Sequence, residues 1–193
     1  MKRICVYCGS NPGRLSIYRE SARSLGHELA SRGLGLVYGG ASVGVMCAVA
    51  DGVLEKGGEA IGVIPQSLAT REVAHDGLRE LIVVSSMHER KARMAELSDG
   101  FIALPGGWGT FEELFEMLTW AQLGFHQKPC GILNVASYYD ELYQFLEKAI
   151  REEFVKDEYR PMIMMESSAS KLLDGFNQYR APRVKKWIGA EET

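Results

Sequence analysis

Apolar segments of only a few residues alternate with longer amphipathic segments along almost the whole chain. The apolar segments predict strands at residues 3–8, 34–38, 60–64, 81–84, 101–104, 131–133 and 162–165. The segments between them predict helices at residues 17–31, 43–55, 87–97, 110–123, 138–153 and 168–179. Short apolar strands that alternate with helices are typical of a parallel sheet covered on both faces. The sequence therefore predicts an α/β fold, a Rossmann-like doubly wound parallel sheet.

The size and composition of the chain are those of one ordinary globular domain. Its 193 residues are enough for a substantial core, and 46% of them are hydrophobic and 24% charged. No repeat or low-complexity segment divides the sequence. We expect a single domain over residues 1–193, in which the charged segment 181–193 is only loosely held.

Charge and hydropathy argue against two classes of partner. The formal net charge is −3, which gives no basic surface for nucleic acid. Residues 33–50 carry no charge, but their glycines and the turn sequence at 39–42 favour a buried strand, a loop and a helix over a membrane span. We therefore expect neither a nucleic-acid partner nor a membrane partner.

The four cysteines are Cys5, Cys8, Cys47 and Cys130. Cys5 and Cys8 form a C-x-x-C pair, but their spacing along a predicted strand places them on opposite faces of a sheet. No second cysteine or histidine pair follows at zinc spacing, so we expect free thiols and no metal site. Free thiols, and first residues that lead into a strand instead of a signal segment, are typical of a cytoplasmic protein.

A glycine-rich turn, Pro105-Gly106-Gly107-Trp108-Gly109-Thr110-Phe111-Glu112-Glu113, joins a predicted buried strand to a predicted helix. Such a junction points unpaired backbone N–H groups and the positive end of a helix dipole at one place, which suits a phosphate group. Glu112 and Glu113 follow immediately. A phosphate cradle beside carboxylates indicates chemistry on a phosphorylated metabolite.

The same turn has a purely structural interpretation. Thr110-x-x-Glu113 matches a capping box, with Thr110 as the N-cap residue and Glu113 at the third helical position. In that arrangement the two side chains would only pair with the backbone of the first helical turn. It leaves the preceding Pro-Gly-Gly unexplained.

Three further loops follow predicted strands, at residues 8–11, 38–46 and 62–75, the last of which contains Glu72 and His75. None matches the dinucleotide fingerprint or a P-loop, so neither a redox dinucleotide nor ATP hydrolysis is favoured, and no cofactor is predicted.

The segment 87–94 opens a helix, where Arg90 either belongs to a solvated basic face or binds an oxygen-rich anion with its planar guanidinium.

Two motifs, PGGxGTxxE at residues 105–113 and MHxRKxxM at residues 87–94, resemble the LOG ("lonely guy") family. These are cytokinin riboside 5′-monophosphate phosphoribohydrolases, and their bacterial members were long labelled lysine decarboxylases. Supporting matches lie at residues 8–10, 37–40, 62–65 and 120–124, so that the resemblance runs from about Ile4 to Phe154. The chain departs from the family pattern at Ala41 and Cys47, where glycine is common.

The resemblance implies hydrolysis of the N-glycosidic bond of cytokinin riboside 5′-monophosphates and/or AMP, which releases an adenine-type base and ribose 5-phosphate. It places the catalytic pair on Arg90 and Glu113, and it implies a homodimer with no cofactor. For substrate and phosphate binding it implies Gly9, Ser10, Gly39, Gly40, Glu72, Lys91, Pro105, Gly106, Gly107, Trp108, Gly109, Thr110, Phe111, Glu112 and Thr119.

The chemistry of this reaction fits the two charged residues. Breaking a ribosyl–base bond builds positive charge on the sugar, which a fixed carboxylate such as Glu113 stabilises or uses to orient water. We expect Arg90 to bind substrate oxygens and to hold Glu113 ionised.

The alternative is a non-catalytic nucleotide-binding or carrier protein of the same fold, which would not need this pair. A lysine decarboxylase would use pyridoxal phosphate on a Schiff-base lysine, and nothing in the sequence marks such a lysine.

Overall fold

The computed structural model describes residues 1–69, 75 and 77–182. Its strands form one parallel sheet in the order β4-β3-β2-β1-β5-β6-β7. The strands are β1 (Arg3–Tyr7), β2 (Gly35–Tyr38), β3 (Ala60–Pro65), β4 (Glu80–Val84), β5 (Gly100–Ala103), β6 (Cys130–Leu133) and β7 (Ile163–Glu166). The predicted α/β class and every predicted strand are confirmed.

The helices follow the strands in alternation. They are α1 (Ile17–Ser31), α2 (Gly44–Glu55), α3 (Gln66–Ala69), α4 (Met87–Leu97), α5 (Trp108–Leu123), α6 (Asp140–Arg151) and α7 (Ala169–Gln178). Two 3₁₀ segments, Val135–Ser137 and Asp157–Met162, precede α6 and β7. The short α3 was not predicted, and most of the predicted tail at 181–193 lies outside the described residues.

The sheet is extended first on one side of β1 and then on the other. From β1 the sheet grows outward through β2, β3 and β4, and the chain then returns to place β5 on the other side of β1. The connections that leave β1 and β5 therefore diverge and open a crevice at the carboxyl ends of these strands. This topological switch point is where open parallel sheets bind ligands.

The core lies on both faces of the sheet, as double winding requires. On one face Ile4 and Val6 pack with α1, α2 and α7, and on the other Cys5 and Tyr7 pack with α4 and α5. Cys8 belongs to the first cluster and Cys5 to the second, as the spacing predicted. All four cysteines are free.

Helices α1 and α2 touch through their backbones. A Cβ atom on Gly26 of α1 would collide with the carbonyl oxygen of Val49, and a Cβ on Gly52 of α2 would collide with that of Arg23. Only glycine permits this separation, because any side chain at either position would meet rigid backbone atoms.

The segment 33–50 forms β2, a loop and the start of α2. Within the described ranges, no helix is both long and apolar enough to cross a membrane.

Candidate functional site

A cavity of about 530 Å³ opens at the crevice between β1 and β5. Its walls come from the loop after β1, the β5–α5 turn, the inner side of α4 and Tyr138, which follows β6. A volume of this order is typical of small-molecule sites. The cavity therefore lies where the predicted parallel sheet would place a ligand.

The helix that follows the glycine turn begins earlier than the capping box requires. α5 starts at Trp108, its N-cap residue is Gly107, and no side chain caps it. The capping-box interpretation is therefore wrong, because Thr110 is already inside the helix and Glu113 lies a full turn further on. Thr110 is buried beneath Gly106, where a Cβ would collide with its hydroxyl oxygen.

The start of α5 has backbone N–H groups that no side chain caps, and there is open space beside its glycines. The first N–H groups of an α-helix have no partner within the helix, and here no side-chain cap replaces one. A Cβ built on Gly107 or Gly109 would meet no other atom within 4 Å, and both residues line the cavity. The arrangement can bind an anion at the positive end of the helix dipole.

Glu113 lies in the cavity wall, one turn into α5. It is buried, and it forms no hydrogen bond with another described residue. Burial raises its pKa from 4.5 to about 7, while the charge of Arg90 acts in the opposite direction. Arg90 thus favours the ionised form of Glu113, in the expected direction, but desolvation outweighs this attraction in the net pKa. A carboxyl group with this pKa suits proton transfer near neutral pH.

Arg90 is held by backbone carbonyls of β3 and of the residue that follows β2. Its Nε donates to the Val63 carbonyl at 3.0 Å, and one terminal nitrogen donates to the Gly39 carbonyl at 3.3 Å. A Cβ on Gly39 would collide with that nitrogen. Ser86 caps α4 by accepting from the Glu89 N–H at 3.1 Å, which fixes the start of the helix that carries Arg90. The buried guanidinium lines the cavity and retains further donors for a ligand.

The cavity brings together most of the predicted site residues. Those that line it are Gly9, Ser10, Gly39, Arg90, residues 105–110, Glu112 and Glu113. Gly40, Lys91, Phe111 and Thr119 do not line it. Glu72 lies outside the described residues.

The predicted residues outside the cavity have structural partners. Lys91 is buried and its ammonium is paired with Glu112 and, at 3.0 Å, with Glu116. Thr119 is exposed, and its hydroxyl donates to the Phe115 carbonyl one turn earlier. Gly40 has a φ of +81° and accepts a hydrogen bond from the His75 N–H. A predicted role in substrate contact is untested for all of these residues.

Three tyrosines in the cavity wall, Tyr7, Tyr18 and Tyr138, were not among the predicted site residues. Tyr138 donates to the Gly106 carbonyl at 2.6 Å, and the buried Tyr7 hydroxyl has no hydrogen-bond partner among the described residues. Tyr138 was predicted only as the start of a helix. The available signal was its place just after a strand, at the edge of the sheet where ligands bind.

Among the described residues, one group of side chains with metal-ligand chemistry lies outside this cavity. Donor atoms of Cys47, Asp51 and His75 all lie within 4.8 Å of one another. Asp51 accepts from the Cys47 thiol at 3.5 Å and lies 2.9 Å from Nε2 of His75. These contacts fasten His75 to α2.

Known proteins match the chain closely in sequence. A family model described as "Possible lysine decarboxylase" matches residues 46–176. The cytokinin riboside 5′-monophosphate phosphoribohydrolase LOG2 of Arabidopsis thaliana is 48% identical over 178 residues, which cover 92% of this chain and 84% of that protein. The corresponding LOG enzyme of Oryza sativa subsp. japonica is 49% identical over 178 residues, which cover 92% of this chain and 74% of that protein.

Solved structures match the fold. The molybdenum cofactor binding protein of Rippkaea orientalis superposes with a TM-score of 0.69 at 25% identity, over 92% of this chain and 97% of that one. The molybdenum cofactor carrier protein of Chlamydomonas reinhardtii gives a TM-score of 0.69 at 22% identity, over 92% and 96% of the two chains. The family model and the sequence relatives together confirm the resemblance seen in the motifs, and the chain belongs to the LOG family.

Proposed function

We propose that the chain hydrolyses the N-glycosidic bond of cytokinin riboside 5′-monophosphates and/or AMP. Water adds across the bond between C1′ of ribose and the base nitrogen, and the products are an adenine-type base and ribose 5-phosphate. The observation that carries the proposal is the buried Glu113, with its pKa of about 7, in the same cavity as Arg90 and the uncapped start of α5. The relatives that are named as phosphoribohydrolases support it.

We assign the work of the reaction to two parts of the cavity. The N–H groups at the start of α5 bind the 5′-phosphate, which holds the sugar in place. Glu113 in its ionised form stabilises the positive charge on the ribosyl group or takes a proton from the attacking water. Arg90, fixed by two carbonyls, binds substrate oxygens and favours the ionised form of Glu113. The phosphate lies far from the bond that breaks, and the energy of binding it helps to orient the sugar for the reaction.

The site gives little support to a lysine decarboxylase activity, which would need a lysine that forms a Schiff base. A Schiff base requires a neutral amine, and Lys91 is the buried lysine nearest in sequence to the motif arginine. Burial alone lowers the pKa of Lys91, but hydrogen bonds to Glu112 and Glu116 outweigh it and raise the pKa. Its ammonium therefore remains charged and paired.

A chromatographic assay tests the proposal. Purified protein is incubated with AMP and with isopentenyladenosine monophosphate, and each is compared with its unphosphorylated nucleoside. We expect free base from the monophosphates only, and the ratio between the two reports the preferred base. Binding of the monophosphates without release of any base would instead favour the carrier alternative.

We also propose that two copies of the chain form a homodimer, and that it acts in the cytoplasm. Met87 and Trp108 at the starts of α4 and α5 are 44% and 88% exposed, which leaves apolar surface that a second copy can cover. The four free thiols fit a reducing compartment. Sedimentation velocity tests the assembly, and a monomer mass at micromolar concentration would contradict it.

A further inference from the structure

The connection between β6 and α6 reaches across the sheet edge to the glycine turn. Tyr138 donates its hydroxyl hydrogen to the Gly106 carbonyl at 2.6 Å, and the adjacent Tyr139 donates to the Leu104 carbonyl at 2.7 Å. Between these two carbonyls, the Pro105 carbonyl accepts from the Gly9 N–H at 3.1 Å. Three successive carbonyl groups of the turn are thus held from outside it.

Holding a carbonyl also fixes the N–H group of the next residue. A trans peptide is planar, and its N–H points opposite to its C=O, and the described residues contain no cis peptide. The bond from Tyr138 to the Gly106 carbonyl therefore sets the direction of the Gly107 N–H. The bond from Tyr139 sets no such direction, because the next residue is Pro105, which has no N–H.

The peptide between Gly106 and Gly107 needs such a restraint. Glycine has the greatest backbone freedom of any residue, and a Cβ at Gly107 would meet nothing within 4 Å, so packing on that side does not hold the peptide. Gly107 is also the N-cap residue of α5, and its N–H belongs to the donors at the predicted phosphate site.

The position of Tyr138 is itself imposed by the fold. Ala136 and Ser137 have φ values of 50° and 60°, a region that costs roughly 1 kcal/mol or more per residue outside glycine. The Asn134 side chain stabilises this turn by accepting from the Tyr139 N–H at 2.9 Å and donating to Asp140 at 2.6 Å. The Tyr138 ring packs edge-on against Tyr18, with centroids 5.8 Å apart.

We propose that Tyr138 is a positioning residue for the substrate phosphate, whose hydroxyl holds the Gly106–Gly107 peptide with the Gly107 N–H directed at the anion. The proposal rests on the function proposed above only in taking the ligand to be a sugar phosphate. It assigns Tyr138 an action through the backbone, without a contact between its hydroxyl and the reacting atoms.

Two phenylalanine variants separate this role from a general effect on the turn. Tyr138→Phe should weaken the binding of ribose 5-phosphate in calorimetry by about tenfold, the loss of one oriented hydrogen bond, and raise KM for AMP with kcat little changed. Tyr139→Phe loses a bond of similar length to the same turn, but it leaves a buried carbonyl without its partner. It should lower the melting temperature while the affinity for ribose 5-phosphate stays within about twofold of the parent.

The amide resonance of Gly107 gives a readout that needs neither ligand nor turnover. In ligand-free protein, Tyr138→Phe should shift the ¹⁵N–¹H signal of Gly107, and Tyr139→Phe should leave it nearly in place. An unshifted Gly107 signal with lost affinity would mean that the hydroxyl itself binds the anion, and would overturn the proposal. Equal losses of affinity in both variants would overturn it too. If the parent binds ribose 5-phosphate in a Tyr138-dependent way but releases no base, the hydrolase function fails and the role of Tyr138 stands.

Discussion

Burial of Glu113 couples the stability of the fold to pH. Its pKa is about 7 in the folded chain and 4.5 when it is freely solvated, so the folded state binds this proton more tightly than the unfolded state does. Ionisation of Glu113 therefore destabilises the fold as pH rises from about 4.5 to about 7, by about 3 kcal/mol in total. Below pH 4.5 the group is protonated in both states, and the penalty is absent.

Glu113→Gln should consequently be more stable than the parent at pH 8, by up to about 3 kcal/mol, and equally stable at pH 4. Urea denaturation at both pH values measures the difference. Glu96→Gln serves as the control, because this glutamate is largely exposed and, within the described part of the chain, forms only a surface pair with Arg93. A Gln variant that is less stable than the parent at pH 8 would contradict the burial of an unpaired carboxylate.

The same substitution should abolish most of the activity. Without an ionisable group at position 113, base release from AMP should fall by about a hundredfold to ten-thousandfold. The affinity for the mononucleotide, measured by calorimetry, should be retained, since the phosphate donors on α5 are unchanged. Release of base at the parent rate would remove Glu113 from the mechanism.

The pH profile of the parent distinguishes the ionised from the protonated role. If ionised Glu113 acts on the ribosyl group or on water, kcat should rise with pH and level off above about 7. The rate of base release from saturating AMP between pH 5 and pH 9 gives this profile. A kcat that falls as pH rises through the same region would assign Glu113 the role of a general acid.

Gly39 has to be glycine for Arg90 to reach the cavity. Gly39→Ala places a Cβ where the guanidinium now lies, so the arginine must move. Because a small misplacement of a catalytic group costs about a hundredfold in rate, kcat/KM for AMP should fall by that order. Gly35→Ala, at the other end of β2, places its Cβ 3.3 Å from the flexible Arg3 side chain and in ordinary contact, at 3.6 Å, with the Glu59 carbonyl oxygen, and it should leave the activity unchanged.

At the scale of helices, the contact between α1 and α2 depends on Gly26 and Gly52. Gly52→Ala drives a methyl group into the backbone of α1 and should lower the free energy of unfolding by about 1–3 kcal/mol. Chemical denaturation measures this loss, and KM for AMP should change little because neither glycine lines the cavity. An alanine variant as stable as the parent would show that the helices separate at little cost.

The helices also show where local sequence signals were sufficient and where they were not. The start of α4 was predicted correctly. There the Glu89 N–H of the first turn finds its hydrogen-bond acceptor in Ser86, which is close in the sequence. The start of α5 was misplaced, because a pattern typical of a capping box at Thr110 and Glu113 can also occur one turn inside a helix. Where the helix begins depends on the preceding turn, and the carbonyls of that turn accept hydrogen bonds from residues in other parts of the chain.

At the scale of the whole molecule, the alternation of short strands and helices was enough to predict the class of the fold. It could not predict that β5 pairs with β1, because that pairing joins segments about a hundred residues apart. The glycine turn and Arg90 could be found from motifs. Tyr138 could not, since its role depends on a contact between two loops that meet only when β6 lies beside β5.

The exposed indole of Trp108 has a practical consequence. It stands at the first position of α5, 88% exposed, with its ring edge-on to Phe111 at 6.2 Å. Because Trp108 lines the cavity, a ligand that binds at the start of this helix changes the surroundings of the indole and alters its emission. The chain thus contains its own optical probe, with which the arrival and departure of a sugar phosphate can be timed by stopped-flow fluorescence without a label. A Trp108→Phe variant would identify the source of that signal.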